Sequence, residues 1–285
     1  MEGSNSIINL GDLSKPANTL IEKISDAIGG IFKPHQIRRV AQAEAEADKI
    51  RAVAQIEITD LQNRAMQRFL VEEAKKQNNI ESITSKAIPM VDENAKPEEM
   101  EDDWITNFFD KCRLISDDEM QYIWSKILAS ESNAPGIYSK RTIDLLASMD
   151  KQDAELFTNL CNFSIELGGK TPLIYEHTNA FYNSHGITFE ILSHLESIGL
   201  IQFDHLYGYL KNGLDQKRYV NYFNEKLWVE FPKPEDNEMN IGKVLLTQVG
   251  NQLAKVCNPI PIEGFRTYIK EKWQDIGYKV YDEKP

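Results

Sequence analysis

Few residues in this chain could carry chemistry. Leu167-Gly168-Gly169-Lys170-Thr171 reads like the tail of a phosphate-binding loop, where backbone amides cradle phosphate and a lysine meets its charge. The first glycine of that pattern should stand at 164, where the chain has Ser164, and Pro172 follows instead of a capped helix. A phosphate loop is therefore rejected. His177, His185, His194 and His205 fall close together, but their spacing fits no zinc pattern and no cysteine accompanies them. Cys112, Cys161 and Cys257 lie far apart without CxxC spacing and read as buried thiols of a reducing compartment. Neither G-x-S-x-G nor HExxH occurs. Acid pairs such as Glu44 with Asp48 sit in charged stretches and read as solvated faces. No catalytic residue, no cofactor-binding residue and no metal ligand can be named, so the expectation is a non-enzyme without a cofactor.

What remains is architecture, and its largest feature is one long helix from about His35 to Gln77. Val40, Ala43, Ala47, Ile50, Ala54, Ile58, Leu61, Ala65 and Phe69 recur at steps of three and four, matching a straight α-helix. The seam is small at Ala43 and Ala47 and bulky at Leu61 and Phe69. Such a helix would be about 60 Å long, more than one compact unit needs, so it must lean on other helices or on another copy. Ahead of it, Ser14 and Pro16 open a shorter helix. Its Leu20, Ile21, Ile24, Ala27, Ile28, Ile31 and Phe32 share an arc of roughly 140°. Residues 15–39 carry five basic side chains (Lys15, Lys23, Lys33, Arg38, Arg39) against two acidic ones, in a chain of net charge −12. Leu20, Ile21, Ile24, Ile28, Ile31, Phe32, Lys33, Arg38 and Arg39 thus form a candidate membrane or assembly face. The alternative is a helix docked on its own protein.

The chain expected from these patterns is mainly α. It has a disordered start (1–14), the amphipathic and long helices (15–77), an acidic linker (78–102), a small helical bundle (103–163) and an α+β winged-helix-like unit (164–285). The linker carries seven acidic residues and Pro97. In the bundle, Asp103, the capping box Ser116-Asp117-Asp118-Glu119, Ser139 and Asp150 start successive helices. The tryptophans and phenylalanines there read as core. In the last unit, helices at 178–183 and 188–197, a strand at 200–203, a hairpin turn at Lys211-Asn212-Gly213 and Leu246-Thr247-x-x-Gly250-x-x-Leu253 follow winged-helix order. No stretch approaches 18 apolar residues and no signal peptide is read, which suggests the cytoplasm.

Charge argues against nucleic acid as a partner, because phosphate-backbone binding is driven by Lys and Arg. The would-be reading helix, 188–197, holds two acids and no Lys, Arg, Asn or Gln. Protein contact suits that unit better.

Several motifs together resemble an uncharacterised bacterial family, the domain of unknown function 2806. They are Asp103-Trp104, Ser116-Asp-Asp-Glu-Met-Gln121, Trp124-Ser-Lys-Ile-Leu128, Glu131, Pro135-Gly136, Ser139-x-Arg141-Thr142 and Ala154-x-x-Phe157, with Lys15-Pro16 and Ala27-Ile28-Gly29-Gly30 at the start. The layout is also similar to abortive-infection proteins of the alpha type. These resemblances imply antiphage defence and carry over no active site. The expectation is a homo-oligomer that senses a phage protein through its last unit and assembles through its N-terminal helices, with an anionic inner-membrane surface as a further partner. A soluble scaffold or regulator is the alternative, and a DNA-binding regulator a third.

Overall fold

The computed structural model describes residues 13–29 and 60–284. The expected loose start up to residue 12, and the seam and basic residues Ile31, Phe32, Lys33, Arg38, Arg39, Val40, Ala43, Ala47, Ile50, Ala54 and Ile58, lie outside the described residues. The chain divides into two compact units, Met1–Ala147 and Ser148–Pro285. The expected break within 78–102 and the expected bundle 103–163 differ from this partition.

In the first unit α1 (Lys15–Ile28) starts where Ser14 Oγ accepts the Ala17 N–H and ends at Gly29, whose φ is 72°. α2 (Asp60–Ala87) runs unbroken through the expected linker start. It continues because Asn79, Ile80, Ile83, Thr84 and Ala87 bury a face against α4 (Asp118–Asn133). Buried Asn79 donates to the Arg113 carbonyl and accepts from Gln121, so its polarity is satisfied inside the packing. The acidic stretch that follows is strapped down rather than hinged. Ala95, Pro97 and Met100 are buried, Lys96 N–H donates to the Ser132 carbonyl, and Asn133 bonds the backbone of Asp92 and Met90. Its acids point outward, which is why composition alone suggested a solvated linker. α3 (Asp102–Cys112) and α5 (Lys140–Ser148) complete the unit.

Two expected caps move, the first by two residues and the second by one. α3 is preceded by Glu101, not Asp103, and α4 is capped by Asp117, whose carboxylate accepts the Met120 N–H. Ser116 instead accepts a hydrogen bond from Asn79. Trp104, Phe108, Phe109 and Trp124 form the core, with Phe108 5.1 Å from Trp104 and from Trp124.

The second unit is α+β. It starts with α6 (Lys151–Cys161), whose Asp150 and Asp153 form a reciprocal capping box. A five-stranded antiparallel sheet has the order β2-β1-β5-β6-β9. Its strands are β1 (Ser164–Glu166), β2 (Lys170–Pro172), β5 (Lys217–Tyr222), β6 (Glu225–Glu230) and β9 (Lys279–Tyr281). β3 (Ile201–Phe203) pairs with β8 (Val244–Leu246), and β4 (Tyr209–Leu214) with β7 (Asn237–Gly242). Helices α7 (Ala180–Asn183), α8 (Phe189–Ser197), α9 (Gln248–Leu253) and α10 (Phe265–Asp275) complete it. Lys211-Asn212-Gly213 is not a hairpin turn. It lies inside β4, where the register against β7 shifts between Lys211 and Leu214 and Gly213 has φ 70°. A bulge and a turn call for the same Asn-Gly chemistry, so the dipeptide could not tell them apart.

Candidate functional site

The residues expected to face a membrane or another copy split into two groups. Leu20, Ile21 and Ile24 are buried, and Ile28 is half-buried, because α1 lies on α3 and on the turn at 97–99 of its own unit. Lys23, one of the local cations, is held by Asp102 of α3 at 2.7 Å. This corrects the expected free face: the apolar side of α1 is used inside the unit. The described end of the long-helix seam is the reverse. Every residue from Asp60 to Glu72 is exposed. Leu61 keeps 68% of its surface and Phe69 57%, with Met66, Leu70 and Val71 bare beside them. Arg68 and Glu72 pair at 3.5 Å along this half of the helix, as their spacing predicts.

In the second unit the outward face of the sheet is laid out by register. Lys217 pairs with Glu230, Tyr219 with Trp228 and Asn221 with Lys226 across β5 and β6. Trp228 pairs with Tyr281 and Glu230 with Lys279 across β6 and β9. Side chains alternate along a strand, so Val220, Leu227, Val229 and Val280 turn inward and are buried while Tyr219, Trp228 and Tyr281 stand in one outward row. The Tyr219 and Trp228 rings are 5.3 Å apart. Lys226 sits 5.2 Å from the Tyr219 ring and Lys284 5.8 Å from the Trp228 ring. Glu230 is bracketed by Lys279 at 3.2 Å and Lys217 at 3.5 Å, and the Lys279 hydrogen bond holds its carboxyl below the usual range. An open groove of about 520 Å³ continues this face past Tyr219 and Trp228 to Gly168 and Gly169.

Those two glycines form the tip of the β1–β2 hairpin, with φ of 72° and 147° and open space where a Cβ would stand. Lys170 donates to the Ala254 carbonyl at 2.8 Å, so the loop that mimics a phosphate site has its lysine committed to backbone. Among the described residues the four histidines form no metal cluster. His194 bonds Asp153 at 2.6 Å and His185 the Phe181 carbonyl at 2.7 Å, while His177 and His205 both pack against Phe189 and Phe203.

Residues 63–270 match the family model described as a protein of unknown function (DUF2806). The chain belongs to that family. No curated protein and no solved structure matches it. Motif residues within the matched range do structural work in the first unit. Trp104 Nε1 donates to the Tyr138 carbonyl, Ser125 to the Ile83 carbonyl, and Glu131 holds the turn at Gly136.

Sequence distance also concealed a cysteine pair. The Cys161 thiol is pushed well up, first by its hydrogen bond with Cys257 and then by burial. Two thiols in contact can close to a disulfide when peroxide takes up their two electrons and two protons as water. On treatment of the native protein with hydrogen peroxide, a Cys161–Cys257 disulfide is expected, seen as a crosslinked peptide pair with Cys112 still alkylatable after denaturation. The elevated thiol keeps thiolate scarce, so the rate should climb with pH throughout the range of an ordinary thiol. A rate that levels off near neutrality, or crosslinking through Cys112, would contradict this contact.

Proposed function

We propose that this chain is a non-catalytic interaction protein, one that associates with a second copy through the first half of α2 and recognises its trigger through the second unit. The observation that carries the reading is the bare run Asp60–Glu72. These thirteen residues project from the packed half of α2 with no buried face of their own. Leu61, Phe69, Met66 and Leu70 are exposed across one half of the helix circumference, a broad apolar arc for a surface helix. A second copy supplies the same seam with the same length, and closed two-fold pairing is the commonest way such a surface is satisfied.

Burial of Leu20, Ile21 and Ile24 moves assembly from α1 to α2 and favours an adaptor over a protein that lies on lipid. Among the described residues no helix is long and apolar enough to cross a membrane. The resemblance to alpha-type abortive-infection proteins supports an antiphage setting. The order α7, α8, β3, then β8 and α9 supports a winged-helix-like reading of the second unit, with α8 facing protein rather than a DNA groove.

Light scattering after size-exclusion chromatography tests the assembly. Wild type should exceed the 32.7 kDa of one chain, and Leu61→Glu with Phe69→Glu should return it to one chain with an unchanged helical spectrum. Both positions are exposed, so the charges do not disturb a core. A wild type that stays at one chain at its highest soluble concentration, or that clusters only when anionic vesicles are added, would overturn the reading.

A further inference from the structure

We infer that the outward face of the five-stranded sheet is a platform for single-stranded nucleic acid, bases stacking on Tyr219, Trp228 and Tyr281 while the surrounding lysines meet the phosphates. This names a ligand class for the second unit and rests on reading that unit as a binding module, but not on self-association.

Three observations carry it. First, register puts three aromatic side chains in direct cross-strand succession on one face, with Tyr219 still 44% exposed. Every base has a π-face, and base–aromatic stacking is a sequence-tolerant source of affinity. Second, the ring spacing selects the ligand. Tyr219 and Trp228 stand side by side, 5.3 Å apart and tilted by 54°, so they suit unpaired bases that can turn independently rather than the fixed pairs of a duplex. Third, the local charge opposes that of the chain. Lys217, Lys226, Lys279 and Lys284 surround the row, with Glu230, Glu166 and, two residues past Tyr281, Glu283 beside them, a small positive excess on a protein of net −12. Glu230 is neutralised by its two lysines, while Lys226 and Lys284 rest on rings. An uncharged sugar could use the rings but would leave these cations without a role. The net charge of −12 averages over the whole chain and the acids of α8 lie on a different element, so neither describes this sheet face.

The test is fluorescence anisotropy of end-labelled uridine and thymidine oligonucleotides of about twelve nucleotides, within the site size of such platforms. The full-length protein is used, with a duplex of equal length alongside. Both single strands should bind, and the duplex at least ten-fold more weakly. Raising NaCl from about 50 to about 200 mM should weaken binding about seven-fold if Lys226 and Lys284 each meet one phosphate. Trp228→Ala should cost at least five-fold, in line with stacking losses of about 1–3 kcal/mol per base. Lys226→Glu, on the exposed surface, removes a contact with the Tyr219 ring but no core packing, and should weaken binding. Light scattering on the same samples keeps this result separate from self-association. The inference is overturned if neither single strand binds at low salt, if duplex binds equally well, or if folded Trp228→Ala and Lys226→Glu both bind like wild type.

Discussion

Gly250→Ala is expected to lower the unfolding free energy by about 4 kcal/mol, or to abolish soluble expression, although it adds one methyl group. Alanine is normally the better helix former by about 1 kcal/mol, so propensity alone predicts a gain at this α9 position. Geometry reverses the sign. A Cβ on Gly250 would stand 2.0 Å from the Leu200 carbonyl oxygen and 3.1 Å from its carbon. That oxygen cannot retreat freely, because it accepts the Thr247 N–H at 3.0 Å and the Thr247 hydroxyl at 3.1 Å. The same hydroxyl accepts the Gly250 N–H and caps the helix. Overpacking costs about 1–3 kcal/mol where side chains can yield. Here backbone must move, and hydrogen bonds of about 1 kcal/mol each go with it. Gly213→Ala is the control. Its φ of 70° disfavours alanine by about 1–2 kcal/mol, but nothing lies near the added carbon. Urea unfolding of both variants separates close approach from backbone conformation. A Gly250→Ala protein within 1 kcal/mol of wild type would mean that α9 does not lie on Leu200 as described.

This glycine illustrates what the sequence makes legible. Leu246-Thr247-x-x-Gly250 announces a strand, a cap and a helix by residue chemistry alone, and the structure has each of them. Ser14, Ser139, Asp150 and Thr188 declare their helices in the same way, because a cap is decided within four residues. What lies beyond a few residues is harder to read. The acids between Asp92 and Asp103 suggested a break, yet three buried apolar side chains among them tie the segment to α4. Asn79 looked like the loosening of a helix and is instead its buried polar contact, since its partners Arg113, Ser116 and Gln121 are more than thirty residues away.

The aromatic row was partly within reach. Phe223 and Asn224 form the two-residue turn between β5 and β6, with φ of 52° at Phe223. Once that turn is recognised, counting outward from Tyr222 and Glu225 brings Tyr219 opposite Trp228. Tyr281 could not be found so, because β9 joins the sheet from the far end of the chain. Net charge had the same blind spot: it averages over a molecule, whereas a ligand meets only one face. The α1 face failed for a different reason. An apolar arc beside cations describes a helix that covers its own unit as well as one that covers lipid, and Asp102 was needed to decide between them.

Glu131→Ala is expected to cost about 3 kcal/mol near pH 7, and Glu131→Gln about 2. Glu131 is 3% exposed, and its two carboxylate oxygens accept the Gly136 N–H at 2.6 Å and the Tyr138 N–H at 2.9 Å. Hydrogen bonds to a charged group are worth about 1.5–3 kcal/mol each, and truncation leaves the amides facing nothing. The loss spreads, because the Tyr138 carbonyl is the acceptor for Trp104 Nε1 at the edge of the core. The glutamine keeps the shape but turns an amide N–H toward a backbone donor. pH supplies a second readout. Burial raises the Glu131 carboxyl above its ordinary value, more than the turn's amides lower it. A carboxyl raised on folding adds stability below its unfolded pKa, and that increment is lost as pH rises through the folded value. The gap between wild type and Glu131→Gln should therefore narrow as pH rises from about 5 to about 8, because the amide has no proton to lose. Thermal unfolding of the pair across that range decides the point. A gap that widens with pH would mean that the turn's N–H groups outweigh burial, and that this carboxylate is held charged by the fold.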